Sequence, residues 1–314
     1  MSRTRWMRWG RWARWGFTLI PVLGLAELGG HVYASHRAPR FDDWAAVRAP
    51  VEALKQPGDL VVVAPPWADP LARRALGDAL MPLRDAARPD ESRYPAAVEI
   101  SILGQHADEL AGFREVARQE RGKFLVRRLE NPAATRVAFD FVEGLRPARV
   151  DVRGTEPPLT CPWNPSARVV AGGLGGHPTF PAARFECPGG VFFNVGVTVI
   201  PDQHFRPRRC IWSHPFARGE IITRFHGVPL GQVIRGHSGM SWFVERERKG
   251  APVTLTVRVN GDEIGRATHR DGDGWAAFEM PLGAHAGATE AQVEFAVSAR
   301  DYQHRHFCFE ADSR

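Results

Sequence analysis

Strand-like segments follow one another from residue 207 to the C-terminus, and this succession constrains the fold more than any other feature of the sequence. The clearest segment is VTLTVRV at 253–259, where alternation of apolar and polar residues places the apolar set on one face of a strand. Asn260-Gly261 follows it, and this pair favours a type I′ hairpin turn. About eight or nine such segments, including SWFVERE at 241–247, predict an antiparallel jelly-roll sandwich over 207–314.

Residues 41–150 have a different pattern, in which short apolar runs alternate with amphipathic stretches. The run LVVVA at 60–64 lies between Pro-Gly and Pro-Pro pairs, which is typical of a strand buried on both faces. The alternation predicts an α/β domain with an open, mostly parallel sheet. Further strands are predicted at 96–104 and 123–131, and helical spacing is found at 42–55, 70–86 and 107–122.

Four Arg-Trp pairs, spaced three residues apart, lie between Arg5 and Trp15. The basic segment, residues 1–14, contains five arginines and no acidic residue. Without these five, the 41 basic residues fall to 36 against 35 acidic residues, so the segment accounts for most of the net charge of +6. The rest of the chain is almost neutral and has no long basic stripe that would follow a phosphate backbone. We therefore expect no nucleic-acid partner.

Residues 15–34 are mainly apolar and are near the length that crosses a bilayer as a helix, although Pro21 and Glu27 weaken the pattern. Two interpretations stay open: an uncleaved signal anchor in the membrane, or a signal peptide that is cleaved after Ala34. In both, the arginines orient the rest of the chain to the exported side. The protein is predicted to be a single-pass inner-membrane protein with a periplasmic C-terminal part, or to be secreted if the signal is cleaved.

The four cysteines agree with export, because they are even in number, widely spaced and without a CxxC pair. Three connectivities are possible, of which we favour Cys161–Cys187 and Cys210–Cys308. The first pair lies in residues 151–206, a stretch dense in proline and glycine that is predicted to be an irregular linker. The second pair would join the first strand of the C-terminal domain to its last.

Aromatic and planar polar residues of the C-terminal domain predict a carbohydrate-binding surface. Flat rings stack on sugar faces, while guanidinium and carboxylate groups form hydrogen bonds with hydroxyls. A buried core role is the competing interpretation for the tryptophans. The predicted carbohydrate-binding residues are Trp212, Trp242, Arg224, Arg235, Tyr302 and Asp301.

Two glycine-rich motifs are similar to catalytic or phosphate-binding signatures, and for both a structural turn is the favoured interpretation. GHSGM at 236–240 resembles a nucleophile elbow, but Gly239 follows Ser238 directly and strands are predicted on both sides. GGLGGH at 172–177 is followed by PTFP, which forbids the helix that a phosphate-binding loop requires. We therefore assign no catalytic residue.

Two further candidates concern cations. Asp271 and Asp273 lie in DGDG, where closely spaced carboxylates suit calcium, although a polar hairpin loop is the favoured interpretation. His304 and His306 are spaced so that both could bind a metal from one face of a strand. The favoured interpretation is that both histidines face solvent. No metal site is assigned, and calcium near the two aspartates is the one cofactor considered.

The order of several motifs resembles a known family. GDLVVVAPPWADP at 58–70, RRCIWSHP at 208–215 and RHFCFEA at 305–311 look like the exported soluble region of some bacterial multi-pass glycosyltransferases of the dolichyl-phosphate-mannose-protein mannosyltransferase type. The resemblance covers about residues 41–314. Those enzymes hold their catalytic acids within a bundle of membrane spans that this chain lacks, so no catalytic residue is carried over. The resemblance implies a stand-alone accessory region that binds glycan or positions a membrane glycosyltransferase.

These observations predict a membrane-anchored, exported accessory protein that binds carbohydrate in envelope glycan assembly. One alternative is an exported glycan-active hydrolase with its site between the domains, for which Asp59, Asp69 and Asp140 are loose candidates without the spacing of a pair. A protein–protein interaction scaffold is the other.

Overall fold

The computed structural model describes residues 6–172 and 177–314, and this part of the chain is mostly β-sheet. It divides into two compact units. The smaller unit runs to Pro82 and includes Tyr94–Pro132, whereas the larger unit contains Leu83–Arg93 and Ala133–Arg314. The segment Leu83–Arg93 therefore belongs to the larger unit, although both its sequence neighbours belong to the smaller one.

The N-terminal helix, α1, spans Trp6–Arg37 and includes the apolar stretch at 15–34. Its apolar side chains from Leu19 to Tyr33 are exposed. Within residues 6–172 and 177–314, no helix combines the length and the apolar character needed to cross a membrane. The predicted membrane span is thus not supported within these residues. Cleavage after Ala34 stays a prediction.

The smaller unit has a four-stranded sheet with helical segments. The strands are β1 (Leu60–Ala64), β2 (Ala96–Ile102), β3 (Arg114–Arg121) and β4 (Phe124–Glu130); the α-helices are α2 (Arg48–Leu54) and α3 (Asp69–Leu76); 3-10 helices span Phe41–Val47, Pro66–Ala68 and Asp108–Leu110. The sheet order is β1-β2-β4-β3, and β1 pairs with β2 in parallel, whereas the other pairs are antiparallel. This differs from the mostly parallel sheet that the sequence predicts.

Strand β1 confirms the interpretation of its continuous apolar run, because all five of its residues are buried. Val61 and Val63 pack into a cluster with Trp44 on one face of the sheet, whereas Leu60 and Val62 pack into a second cluster on the other. A strand that is covered on both faces has no polar positions to alternate with apolar ones.

The predicted helix at 107–122 is wrong. Its second half is β3, an edge strand whose residues are mostly exposed and which pairs with β4 across the two-residue turn Gly122-Lys123. Gly122 has a positive φ of 59°, which glycine adopts readily. The Arg, Glu and Gln residues that suggested a helix instead protect the sheet edge, since charged side chains there discourage pairing with another chain.

The larger unit contains two sheets and a few short helices. Its strands are β5 (Phe139–Asp140), β6 (Val150–Thr155), β7 (Pro158–Cys161), β8 (Trp163–Asn164), β9 (Arg184–Glu186), β10 (Asn194–Pro201), β11 (Pro207–Ser213), β12 (Ile221–Val228), β13 (Val233–Met240), β14 (Val253–Val259), β15 (Asp262–His269), β16 (Ala276–Pro281), β17 (Ala291–Ala299) and β18 (Phe307–Ser313). Its helices are α4 (Leu83–Ala86), α5 (Trp242–Glu247) and a 3-10 turn at Gly283–His285.

The eight-stranded sheet has the order β16-β13-β18-β11-β10-β9-β8, with β5 paired to β18, and the six-stranded sheet has the order β15-β14-β17-β12-β6-β7. One hydrophobic cluster contains residues of both sheets, for example Phe295 of β17 and Phe309 of β18, whose rings stack at 4.9 Å. The two sheets therefore share a core, as in a β-sandwich. The jelly-roll strand order stays a prediction. Residues 151–206, which the sequence predicts as a linker, supply most of β6 and all of β7 to β10.

Several local predictions in this unit are confirmed. All four apolar residues of VTLTVRV are buried in the shared core. Asn260 and Gly261 both have positive φ values, 52° and 94°, as a type I′ turn requires. The disulfides are Cys161–Cys187 and Cys210–Cys308, and the second joins the neighbouring strands β11 and β18.

The predicted strand SWFVERE is wrong, since Trp242–Glu247 form α5 and Ser241 is the residue before the helix. The carboxylate of Glu245 explains the helical turn, because it accepts hydrogen bonds from the backbone of Met240 at 3.2 Å and of Gly272 at 2.6 Å. An extended segment would carry Glu245 away from the end of β13, whereas a helical turn returns it there.

Candidate functional site

Three neighbouring strands of the eight-stranded sheet begin or end at the same end of the sheet. β10 begins at Asn194, β11 ends at Ser213 and β18 begins at Phe307, and β11 pairs antiparallel with both of the others. Because antiparallel neighbours run in opposite directions, the start of one lies beside the end of the next. Residues just outside these strand ends therefore come together, although they are far apart in the sequence.

Five aromatic or histidine rings meet at this end of the sheet. The His306 ring stacks on Phe192, with ring centroids 5.6 Å apart and an interplanar angle of 15°. Phe193 lies edge to face on His214 at 5.4 Å, and the Tyr302 ring lies 6.2 Å from His214. The two histidine rings are 6.4 Å apart.

The five rings line a pocket of about 370 Å³, which we call the histidine pocket. Gly189, Gly190, Gln303 and His304 complete its described lining, which includes no aspartate, glutamate, lysine or arginine. Small-molecule sites typically have volumes of about 300 to 1,000 Å³ and combine apolar walls with a few polar groups. The histidine pocket has both properties.

Two of the three histidines that line the pocket, His214 and His306, are neutral at physiological pH. Burial lowers the pKa of His214 to about 4, and burial together with the neighbouring His214 and His177 lowers the pKa of His306 to about 3. His214 donates from Nδ1 to the carbonyl oxygen of Pro215 at 2.9 Å, so its Nε2 carries a lone pair in the neutral ring. His306 contacts the Ser241 hydroxyl through Nδ1 at 3.3 Å. The pocket thus offers uncharged hydrogen-bonding groups.

Of the six predicted carbohydrate-binding residues, Tyr302 lines the pocket and Trp212 lies beneath it. Trp212 is fully buried, with its ring 5.9 Å from His214 and 5.6 Å from His306. Its indole nitrogen donates to the carbonyl oxygen of Phe192 at 2.9 Å. Trp212 is therefore a core residue that supports the pocket floor, which is the competing interpretation given to the tryptophans.

Asp301 is exposed beside Tyr302, where its carboxylate accepts a hydrogen bond from the backbone of Gln303 at 3.0 Å. It shapes the turn that carries Tyr302 and is not part of the pocket lining. Trp242 lies on α5, where its ring packs against Phe205 at 5.1 Å and the Arg246 guanidinium lies over it at 5.2 Å. Trp242 does not line the pocket either.

The remaining two predicted residues, Arg224 and Arg235, are held in ion pairs elsewhere in the unit. Arg235 on β13 contacts Asp90 at 3.0 Å. Arg224 lies on the six-stranded sheet, where it contacts Glu294 at 2.7 Å. In register, acidic and basic residues alternate across five strands, in the order Asp151, Arg224, Glu294, Arg258 and Glu263. This ladder explains Arg224 by cross-strand pairing, without a ligand.

Ser238 of the GHSGM motif lies in a buried arrangement of serine, histidine and glutamate. Its hydroxyl is 3.4 Å from His269 Nδ1, and His269 Nε2 is 2.6 Å from the Glu245 carboxylate. The helix α5 does follow β13, which corrects the strand expected there. Ser238 nevertheless lies within β13 instead of on a turn, and all three side chains are almost fully buried. They cannot meet a substrate in this arrangement and act as a structural link.

The calcium candidates are occupied by protein groups. Asp271 forms an ion pair with Arg305 at 2.6 Å and accepts a hydrogen bond from the backbone of Gly250, whereas Asp273 accepts one from the backbone of Arg270. His304 has a positive φ of 53° in a turn before β18, so it does not share a strand face with His306. Within the described ranges, no three His, Cys, Asp or Glu side chains are grouped to hold a metal.

Sequence reasoning selected neither of the two phenylalanines nor His214. Their proximity depends on strand order, because β11 lies between β10 and β18. The available signals are the Phe-Phe pair directly before β10 and a histidine directly after β11. Residues 173–176 of the GGLGGH motif lie outside the described residues.

No protein-family model matches the sequence, and no curated protein matches it. Among solved structures, the chain is similar to the CBM51-2 and INT domains from Clostridium perfringens ZmpB, with 9% identity and a TM-score of 0.29 over 38% of this chain and 26% of that chain. CBM51-2 in complex with GlcNAc and INT domains from the same protein give 8% identity and a TM-score of 0.30 over 65% of this chain and 41% of that chain.

The secreted serine protease VesC from Vibrio cholerae gives 15% identity and a TM-score of 0.23 over 38% of this chain and 23% of that chain. The chain thus spans less than half the length of each of these structures. TM-scores this low establish no common fold.

Proposed function

We propose that the histidine pocket binds an uncharged sugar unit and that the protein is a carbohydrate-binding accessory protein of the cell envelope. The observation that carries this proposal is a ring-lined pocket of about 370 Å³ whose described polar groups are tyrosine, glutamine and histidine. The face of a sugar ring presents C–H groups that pack on aromatic rings. Its hydroxyls both donate and accept, which suits neutral imidazole nitrogens, a phenol and an amide.

A binding role agrees with this lining better than glycoside hydrolysis does. Most glycoside hydrolases place two carboxyl groups on either side of the scissile bond, about 5 to 9.5 Å apart. The described lining of the histidine pocket contains no carboxylate. A part in envelope glycan assembly, beside a membrane glycosyltransferase, extends the proposal and rests on the motif resemblance.

Titration calorimetry of the full chain with neutral hexoses and N-acetylhexosamines tests the proposal. We expect Tyr302→Ala to weaken binding about tenfold, which corresponds to about 1.4 kcal/mol, because it removes a ring from the pocket wall. Phe205→Ala is the matched control, since it removes an exposed aromatic ring outside the pocket. Absence of binding by every neutral sugar, or equal binding by the Tyr302→Ala variant, would contradict the proposal.

A further inference from the structure

A second pocket, of about 770 Å³, adjoins the histidine pocket. The described polar residues of its lining are Arg168, Arg184, Glu186 and Asn194, and we call it the arginine pocket. Gly190 and the side chain of Phe193 line both pockets. Because Gly190 has no side chain, nothing projects from that residue between the two spaces.

The wall that the two pockets share is fixed in place. It lies between Cys187, which forms a disulfide with Cys161, and Asn194, whose side-chain amide donates to the carbonyl oxygen of Val191 at 2.8 Å. The Phe193 backbone also donates to the carbonyl oxygen of Gly190 at 3.1 Å. The pockets are thus held at a constant separation, as two subsites for neighbouring ligand units require.

The charge of the arginine pocket differs from that of its neighbour. Arg184 is almost fully buried and forms an ion pair with Glu186 at 2.7 Å, so these two charges offset one another. Arg168 is exposed and has no ion pair within residues 6–172 and 177–314. One guanidinium therefore remains without a counter-charge at this pocket, and a single negative charge on the ligand would balance it.

Two residues that line the pocket also have buried polar atoms without a partner. In the described part of the structure, Nε of Arg184 and Oδ1 of Asn194 are buried without hydrogen-bond partners. One is a donor and the other an acceptor, and buried groups of this kind are rarely left unpaired in proteins.

We propose that the arginine pocket binds a carboxylate-bearing sugar unit that is joined to a neutral unit in the histidine pocket. This inference rests on the proposed function and names its ligand class, a glycan with adjacent acidic and neutral units. Arg168 pairs with the carboxylate, because guanidinium and carboxylate match in charge and planar geometry. The histidine pocket takes the neutral unit, because its described lining has no lysine or arginine to compensate a buried carboxylate.

The test uses full-length protein and disaccharides of one hexuronic acid and one neutral N-acetylhexosamine, each as the free acid and as the methyl ester. The ester keeps the shape of the ligand and removes its charge. We expect the acid to bind at least about tenfold more tightly than the ester at low salt, with the ratio falling as salt screens the exposed arginine. Arg168→Gln should abolish the acid preference and leave binding of the neutral monosaccharide unchanged.

Arg266→Gln is the matched control, because Arg266 is exposed on the six-stranded sheet and does not line the pocket. Equal binding of acid and ester by the unmodified protein, or a preference that persists in the Arg168→Gln variant, would overturn this inference. Either of these outcomes leaves the proposed function intact, provided that the neutral monosaccharide still binds and that Tyr302→Ala still weakens its binding. Loss of the Tyr302 effect would overturn the proposed function and this inference together.

Discussion

Four histidines of the larger unit form two contrasting pairs. His237 and His269 each have a carboxylate oxygen at 2.6 Å, from Glu310 and Glu245 respectively, and both carboxylates are buried. Among the residues that the structure describes, no such carboxylate contacts His214 or His306, and both rings face a pocket. Burial does not separate the pairs, since His214 is 5% exposed and His237 is 8% exposed.

The contrast teaches that the partner of a buried histidine indicates its role better than its burial does. In this unit the carboxylates of Glu310 and Glu245 hold the rings of His237 and His269, whereas His214 and His306 face a cavity. The serine, histidine and glutamate around His269 have the residue types of a catalytic triad, yet they belong to the structural pair. Four experiments test this contrast.

The largest effect is expected where the acid of a structural pair is removed. Glu245→Ala leaves His269 and the backbone N–H groups of Met240 and Gly272 without their acceptor. Breaking a buried pair of this kind costs about 3 to 5 kcal/mol of unfolding free energy. Urea denaturation measures it, with Glu247→Ala of the same helix as the control. A loss of unfolding free energy below about 1 kcal/mol, the ordinary value of a single hydrogen bond, would contradict the structural role of Glu245.

The second effect is the pH dependence of stability. The folded-state pKa values of His214 and His306, about 4 and about 3, lie below the value of about 6.5 in the unfolded chain. Between these values the unfolded chain binds more protons, so the stabilisation is complete above pH 6.5 and is lost as pH falls toward 4.

For each histidine the slope of unfolding free energy is at most about 1.4 kcal/mol per pH unit. His306→Phe removes one of the two groups and should reduce the slope measured by denaturation between about pH 6.5 and 4.5. An unchanged slope would show that His306 is not held neutral by the fold.

The third effect concerns binding. His306→Phe keeps a ring against Phe192 but removes the imidazole nitrogens, so we expect sugar affinity to fall about tenfold with the fold retained. His237→Phe is the matched variant from the structural pair and should lower stability, while any remaining folded protein binds sugar normally. Calorimetry on both variants measures the difference. A sugar-binding defect confined to His237→Phe would reverse our assignment of the two pairs.

The smallest effect is expected at Arg224, which belongs to neither histidine pair. Partly exposed cross-strand ion pairs contribute about 0.2 to 1 kcal/mol, so Arg224→Gln should change unfolding free energy within that range. Sugar binding should be unchanged, because Arg224 belongs to the charge ladder of the six-stranded sheet. Weaker sugar binding by this variant would restore the role that the sequence predicts for Arg224.

Local patterns predicted local structure well in this chain. The alternation in VTLTVRV and the turn at Asn260-Gly261 follow from short-range periodicity and turn chemistry, and the disulfide pairing favoured among the three possible connectivities is the observed one. Predictions failed where long-range contacts decide. The helix-forming residues of β3 pair with β4 as an edge strand, and SWFVERE turns into a helix around the buried Glu245.

The candidate site was predicted only in part for the same reason. Tyr302 and Trp212 were identified from residue type, and the structure places one in the pocket wall and the other beneath it. Phe192 and His214 could not be joined to them without knowing that β11 lies between β10 and β18. Residue type alone also placed Arg224 and Arg235 among the predicted carbohydrate-binding residues, because the sequence does not show which arginines form ion pairs.

NMR of histidine side chains in the full-length protein tests the central claim most directly, because it reports protonation and ligand contact at each ring. At neutral pH, with a neutral N-acetylhexosamine added, we predict that His214 and His306 stay uncharged and that their ring resonances shift with saturation. The resonances of His237 and His269 should not shift. Protonated His214 and His306 rings, or sugar-induced shifts at His237 and His269 alone, would contradict the account.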